Sequence, residues 1–185
     1  MLNKIYTETE EKMKKAVESV QKELASIRTG KATTALLDGI RVEYYGNMVP
    51  LNQVASVSAP EPKLLVIQPW EKKMIEGISR SILKSDLGLN PTSDGNLIRL
   101  AIPPLTEERR RDLVKLVKKL AEEGKISVRN VRREGNEALD SAEKKKEISE
   151  DDNRKSQERI QKLTDKYIEA IDKVVKAKEV EIMEV

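Results

Sequence analysis

Four cations, Lys125, Arg129, Arg132 and Arg133, follow one another at i, i+4, i+7 and i+8. On a helix that spacing spreads them over one flank. A planar guanidinium presents a fork of N–H donors that matches phosphate oxygens, so the chemistry on offer is recognition of a polyanion. Arg109, Arg110 and Arg111 form a second basic group upstream. Segment 105–135 carries net +4 and segment 136–185 net −3, in a chain of net +3. A solvated helix face would read the same way, so charge alone leaves both readings open. If nucleic acid is bound, the mode is constrained. The helical segments hold only Tyr6 and Tyr167, both on apolar stripes, so no stacking platform is expected there. Recognition would then go by shape and backbone charge, as for folded RNA. Trp70, after Pro69 at a helix start, is expected to pack in the core or as a staple.

Other chemistries find little support. The chain has no His and no Cys, which removes imidazole bases, thiol nucleophiles, disulfides and ordinary zinc sites. Thr29-Gly30-Lys31-Ala32 resembles a phosphate loop only in part, because Ala32 follows the lysine and Ala25 stands where the first glycine is required. A helix end capped by Gly30 explains it better. The carboxylates fall at ordinary helix-surface spacing, and Asp151-Asp152 reads as helix-start chemistry. No catalytic residues, metal or cofactor are expected. No run of 18 apolar residues and no apolar leader core are present, so the expected location is the cytoplasm and no membrane contact is expected.

The elements that must position these cations follow from a break in composition. All seven prolines and five of the eight glycines lie between 31 and 104, where only 15 of 74 residues are charged. The remaining 111 residues hold 52 charges, roughly double the density. The chain therefore divides into 1–30 plus 105–185, a long helical domain, and 31–104, a small inserted one. In 3–28, Ile5, Met13, Val17, Val20, Leu24 and Ile27 form an amphipathic stripe. A second helix starts at Thr106 as N-cap and carries the seam Leu113, Val117, Leu120, Gly124, Val128, Val131, Gly135, Ala138, Ala142. Gly124 and Gly135 lie on that seam and mark close packing. A third begins near Ser149 with the stripe Ile160, Leu163, Tyr167, Ile171, Val174, Ala177. No one of these helices can bury its stripe alone; three in up-down-up order can.

The insert has different periodicity. Segments 40–44 and 48–51 read as a hairpin about Tyr45-Gly46-Asn47, and 54–57, 64–67 and 97–100 as short strands. Residues 71–84 read as a helix with Met74, Ile75, Ile78 and Ile82 inward. Pro103-Pro104 forces an extended connection into the second helix. The fold class is α+β: a long three-helix bundle from both chain ends with an inserted small β/α/β domain.

These residues resemble the bacterial ribosome recycling factor family. The blocks are Arg28-Thr29-Gly30-Lys31-Ala32 with Leu36-Leu37-Asp38, Val42-Glu43-Tyr44-Tyr45-Gly46, Pro50-Leu51-Asn52-Gln53-Val54-Ala55 and Ile67-Gln68-Pro69-Trp70. Ser85-Asp86-Leu87-Gly88-Leu89-Asn90-Pro91, Asp94-Gly95, Pro103-Pro104-Leu105-Thr106-Glu107-Glu108-Arg109-Arg110 and Val128-Arg129-Asn130-Val131-Arg132-Arg133 continue them in order. One departure is Glu134-Gly135-Asn136, where the family often has Asp-Ala-Asn. The resemblance implies an L-shaped monomer the size of a transfer RNA. It would bind the post-termination ribosome and, with elongation factor G and GTP, split it into subunits and release it from mRNA. The family's contacts to large-subunit ribosomal RNA map onto Arg132, Arg129 and Arg133, with Arg110 and Arg28 nearer the domain crossing. The family's hinge maps onto Gly30, Lys31, Pro103, Pro104, Leu105 and Thr106. The GTPase would be the partner, and this chain no enzyme. A helical protein whose basic flank serves only solubility, and a carboxylate hydrolase, are the competing readings.

Overall fold

The computed structural model describes residues 1–184. Two compact units emerge, one from Met1–Leu24 with Val114–Val180, the other from Ala25–Leu113 with the last residues from Glu181.

Three helices build the first unit: α1 (Leu2–Ala25), α3 (Glu107–Lys144) and α4 (Glu150–Met183); α2 (Ile75–Lys84) belongs to the second. Helix α3 is about 57 Å long and α4 about 51 Å, at 1.5 Å per residue. Their starts are local chemistry. The Arg109 N–H donates to Thr106 Oγ1 at 3.1 Å. At α4, the Asp152 N–H donates to Ser149 Oγ (3.0 Å) and the Ser149 N–H to Asp152 Oδ2 (3.3 Å), a reciprocal cap. Between the helices, contacts give the order. Tyr167 donates to Glu10 at 3.0 Å, and the Arg159 guanidinium lies 3.9 Å over the Tyr6 ring, so α1 and α4 run parallel. Lys12 pairs with Glu134 at 2.8 Å, Gly135 faces Thr9 and Gly124 faces Val20, so α3 opposes α1.

Helix α3 is continuous through both glycines. A Cβ on Gly124 would collide with Val20 Cγ2 of α1, and one on Gly135 would lie 3.0 Å from Ile160 Cδ1 and from Thr9 Oγ1. Both glycines let neighbouring helices approach. The seam drifts from its expected course: Ala138 and Ala177 are exposed, whereas Ala121, Leu139, Asn153, Thr164 and Lys178 are buried. Several residues in each helix satisfy a three-or-four spacing, and only the register of the neighbouring helix chooses among them.

In the second unit, β1 (Arg41–Tyr44) and β2 (Asn47–Pro50) form a hairpin. Tyr45 (φ 48°) and Gly46 (φ 83°) occupy its turn, both left-handed as a two-residue hairpin turn requires. Strands β3 (Ala55–Glu61), β4 (Leu64–Pro69), β5 (Pro91–Ser93) and β6 (Ile98–Ala101) make an antiparallel sheet of order β3-β4-β6-β5. Its inner face carries Leu65, Ile67, Ile98 and Leu100, closed by Met74, Ile78 and Ile82. Strand β5 was not expected: Pro91, Thr92 and Ser93 show no apolar alternation, and they pair only with β6 at the sheet edge, where a proline is tolerated. Helix α2 starts at Ile75, after a single 3₁₀ turn over Lys72–Met74. Helix α1 ends at Ala25, so Gly30 does not cap it.

Candidate nucleic-acid interface

Arg129, Arg132 and Arg133 stand on α3 because Val128, wholly buried, turns the following residues toward its flank. At 100° per residue, Lys115, Lys118, Lys119, Lys125, Arg129, Arg132 and Arg133 all fall within roughly 140° of arc, opposite the seam. Glu122 is the one acidic residue inside that arc between Lys115 and Arg133.

The cations are held by specific partners. Arg129 Nη1 lies 3.3 Å from Glu122 Oε1. Lys125 Nζ lies 2.6 Å from Asp172 Oδ1 of α4, with its side chain only 22% exposed. Arg132 Nη1 donates to Gln161 Oε1 of α4 at 3.3 Å. Arg133 is exposed, with no ion pair among the described residues. The face is thus preorganised: α4 supports two of its side chains from below. Sequence reasoning found the cations and missed these partners. Glu122 sits seven residues before Arg129, a two-turn spacing that signals a shared face; Asp172 and Gln161 left no such mark.

Arg28 and Arg110 belong to the other compact unit. Both are half-buried. The Arg110 Nε is enclosed without a hydrogen-bond partner among the described residues. Nearby stand the residues expected to form a hinge. Gly30 has φ +80°, a backbone conformation that favours glycine, and a Cβ on it would make only ordinary contact with Leu105 Cγ at 3.4 Å. The Ala32 N–H donates to Pro62 O at 2.7 Å and the Ile102 N–H to Lys63 O at 2.9 Å. Ala32 and Ile102 are therefore tied to the same β3–β4 turn. Thr29 Oγ1 donates to Glu181 Oε1 at 2.8 Å. Lys31, Pro103 and Pro104 are exposed, Leu105 is half-buried, and Thr106 caps α3.

Trp70 departs from expectation: it is 65% exposed. Its backbone N–H pairs with Val54 O, closing the end of the sheet, while Pro69 takes the buried position in β4. Beside it, Tyr44 Oη donates to Glu71 Oε1 at 2.8 Å, and Lys73 bonds both Tyr45 Oη and Glu71. The Tyr44 hydroxyl, then Lys73, hold the Glu71 carboxyl below its usual range.

Among the described residues no group of three or more acidic side chains is placed to hold a metal, and no helix is long and apolar enough to cross a membrane. What remains is a two-unit α+β protein whose long bundle presents an ordered cationic face suited to phosphate. The family described as ribosome recycling factor matches residues 20–183. The ribosome-recycling factors of Syntrophomonas wolfei subsp. wolfei and Bacillus subtilis (strain 168) are 55% and 56% identical, over all of this chain and all of theirs. A solution structure of ribosome recycling factor superposes with a TM-score of 0.81 at 50% identity, covering 100% of this chain and 98% of that one. The T. thermophilus ribosome recycling factor, in a structure that also holds E. coli elongation factor G bound to the E. coli post-termination complex, matches with a TM-score of 0.71 at 45% identity, over the full length of both. The chain belongs to the ribosome recycling factor family.

Proposed function

We propose that this chain binds the post-termination ribosome and, together with elongation factor G and GTP, drives its separation into subunits and its release from mRNA. The observation that carries the reading is the full-length family match joined to an ordered cationic face on α3. The chain acts in the cytoplasm as a monomer and catalyses nothing itself; the GTPase is its partner. Arg132, Arg129 and Arg133 contact the phosphate backbone of large-subunit ribosomal RNA, with Arg110 and Arg28 contributing nearer the crossing.

Residues 1–30 plus 105–185 form the ribosome-binding arm and 31–104 the arm on which the elongation factor acts. Gly30, Lys31, Pro103, Pro104, Leu105 and Thr106 form the hinge. Two support this: Gly30 holds a conformation costly for other residues, and Pro103-Pro104 stiffens the opposite segment. A stiff helical arm with motion confined to a few residues transmits displacement instead of absorbing it. Light scattering of post-termination ribosomes tests the reading. A drop that requires this protein, elongation factor G and GTP together is expected. No drop with a cognate factor and active ribosomes would leave a helical protein whose basic face serves solubility.

A further inference from the structure

Two of the four cations on the α3 flank are already engaged in ion pairs. Arg129 is paired with Glu122 and Lys125 with Asp172, at 3.3 and 2.6 Å. A phosphate oxygen that takes the same guanidinium or ammonium must first displace a carboxylate. Neither carboxylate is needed elsewhere: both side chains are more than half exposed, at 60% and 56%, and each has this cation as its only ion-pair partner among the described residues. Between Lys115 and Arg133, Glu122 is also the one acidic side chain within the basic arc, surrounded there by lysines and arginines. A residue kept only for solubility would not need to interrupt that arc. We propose that Glu122 and Asp172 are built-in competitors for the RNA backbone, which hold Arg129 and Lys125 in place for phosphate and lower the affinity of the bound state, so that the factor leaves the ribosome after use.

The proposal rests on the RNA-facing reading of α3 and deepens it. Its size follows from the physics of exposed ion pairs. Each is worth little in water, so each exchange shifts affinity by about two- to fivefold, and mostly through dissociation. That scale suits a factor that must cycle. Removing a competing carboxylate frees one cation for full phosphate neutralisation, so the salt dependence of binding also steepens, by up to about one unit of log–log slope per pair.

The test is equilibrium binding of the full-length protein to purified ribosomes across a salt series. The variants are Glu122→Gln, Asp172→Asn, Arg129→Gln, Arg132→Gln and the pair Glu122→Gln with Arg129→Gln, with circular dichroism confirming folding. Glu122→Gln and Asp172→Asn are expected to tighten binding about two- to fivefold and to slow dissociation. In the Arg129→Gln background the gain from Glu122→Gln is expected to vanish, because no cation remains for that carboxylate to hold. Unchanged or weaker binding of Glu122→Gln and Asp172→Asn overturns the proposal. An equal gain with and without Arg129 overturns it too, since that is a general field effect and not competition. If Arg132→Gln and Arg129→Gln themselves bind like the parent, the failure lies with the RNA-facing reading.

Discussion

Helices α1, α3 and α4 bury a seam that is narrow and long, whereas the insert closes a concentrated core around β4 and β6. In the bundle, Met13, Val17, Val20, Leu113, Val117, Val128 and Ile171 follow one another along the axes. Each layer is made by few side chains, and its tightness depends on how closely the helices approach at Gly124 and Gly135. In the insert, Leu65, Ile67, Ile98 and Leu100 come from strands that meet only through non-local pairing, and α2 covers them. The difference separates two duties. A narrow bundle spends most of its surface on charge, which leaves room for an extended cationic face. A compact sheet unit gathers its apolar side chains around β4 and β6 and needs little surface to do so. The same division explains the aromatics: the bundle's Tyr6 and Tyr167 are half-buried beneath Arg159 and Glu10, while the insert shows Tyr45 and Trp70 to solvent.

Four experiments test that contrast. The largest effect is expected from Leu65→Ala, which leaves a cavity in a wholly buried position of β4. It should cost about 2–5 kcal/mol, confined to the insert, with the far-ultraviolet helical signal of the bundle retained on partial denaturation. A single cooperative loss of both would show that the two cores are one. Next is Gly124→Ala. Helix propensity favours alanine by up to about 1 kcal/mol, but the new methyl meets Val20, and overpacking costs about 1–3 kcal/mol. Net destabilisation in urea melts is expected, relieved when Val20→Ala is added; stabilisation would mean that the helices are not held by close approach.

Pro103→Gly with Pro104→Gly should slow subunit splitting several-fold while ribosome affinity changes little. Equal loss of splitting and binding would argue against a stiff crossing. The smallest effect concerns the loop between β5 and β6. Asp94 accepts the Leu97 and Asn96 N–H groups and pairs with Arg99, in that order of influence, and its carboxyl is lowered from 3.8 to about 2. A depressed carboxyl contributes stability above its unfolded value. The contribution is full above about pH 4 and is lost as pH falls toward 2. Asp94→Asn should therefore melt below the parent at neutral pH, with the gap closing between pH 4 and pH 2. A gap independent of pH would assign the loop to backbone geometry alone.

The cap residues Thr106 and Ser149, the hairpin at Tyr45-Gly46 and the cationic spacing on α3 were all legible in the sequence. Each depends on residues within about two helical turns of one another, so the chain itself specifies them. Gly124 and Gly135 were legible as packing sites because they interrupted an apolar seam without a proline nearby. Packing between distant segments set which side chains those glycines admit, why Leu139 is buried and Ala138 is not, and that Trp70 faces solvent while Pro69 is enclosed. It alone paired Lys125 with Asp172 and Arg132 with Gln161. Those contacts join residues tens of positions apart, and their register is set by how two long helices slide against each other, a choice that local spacing does not contain.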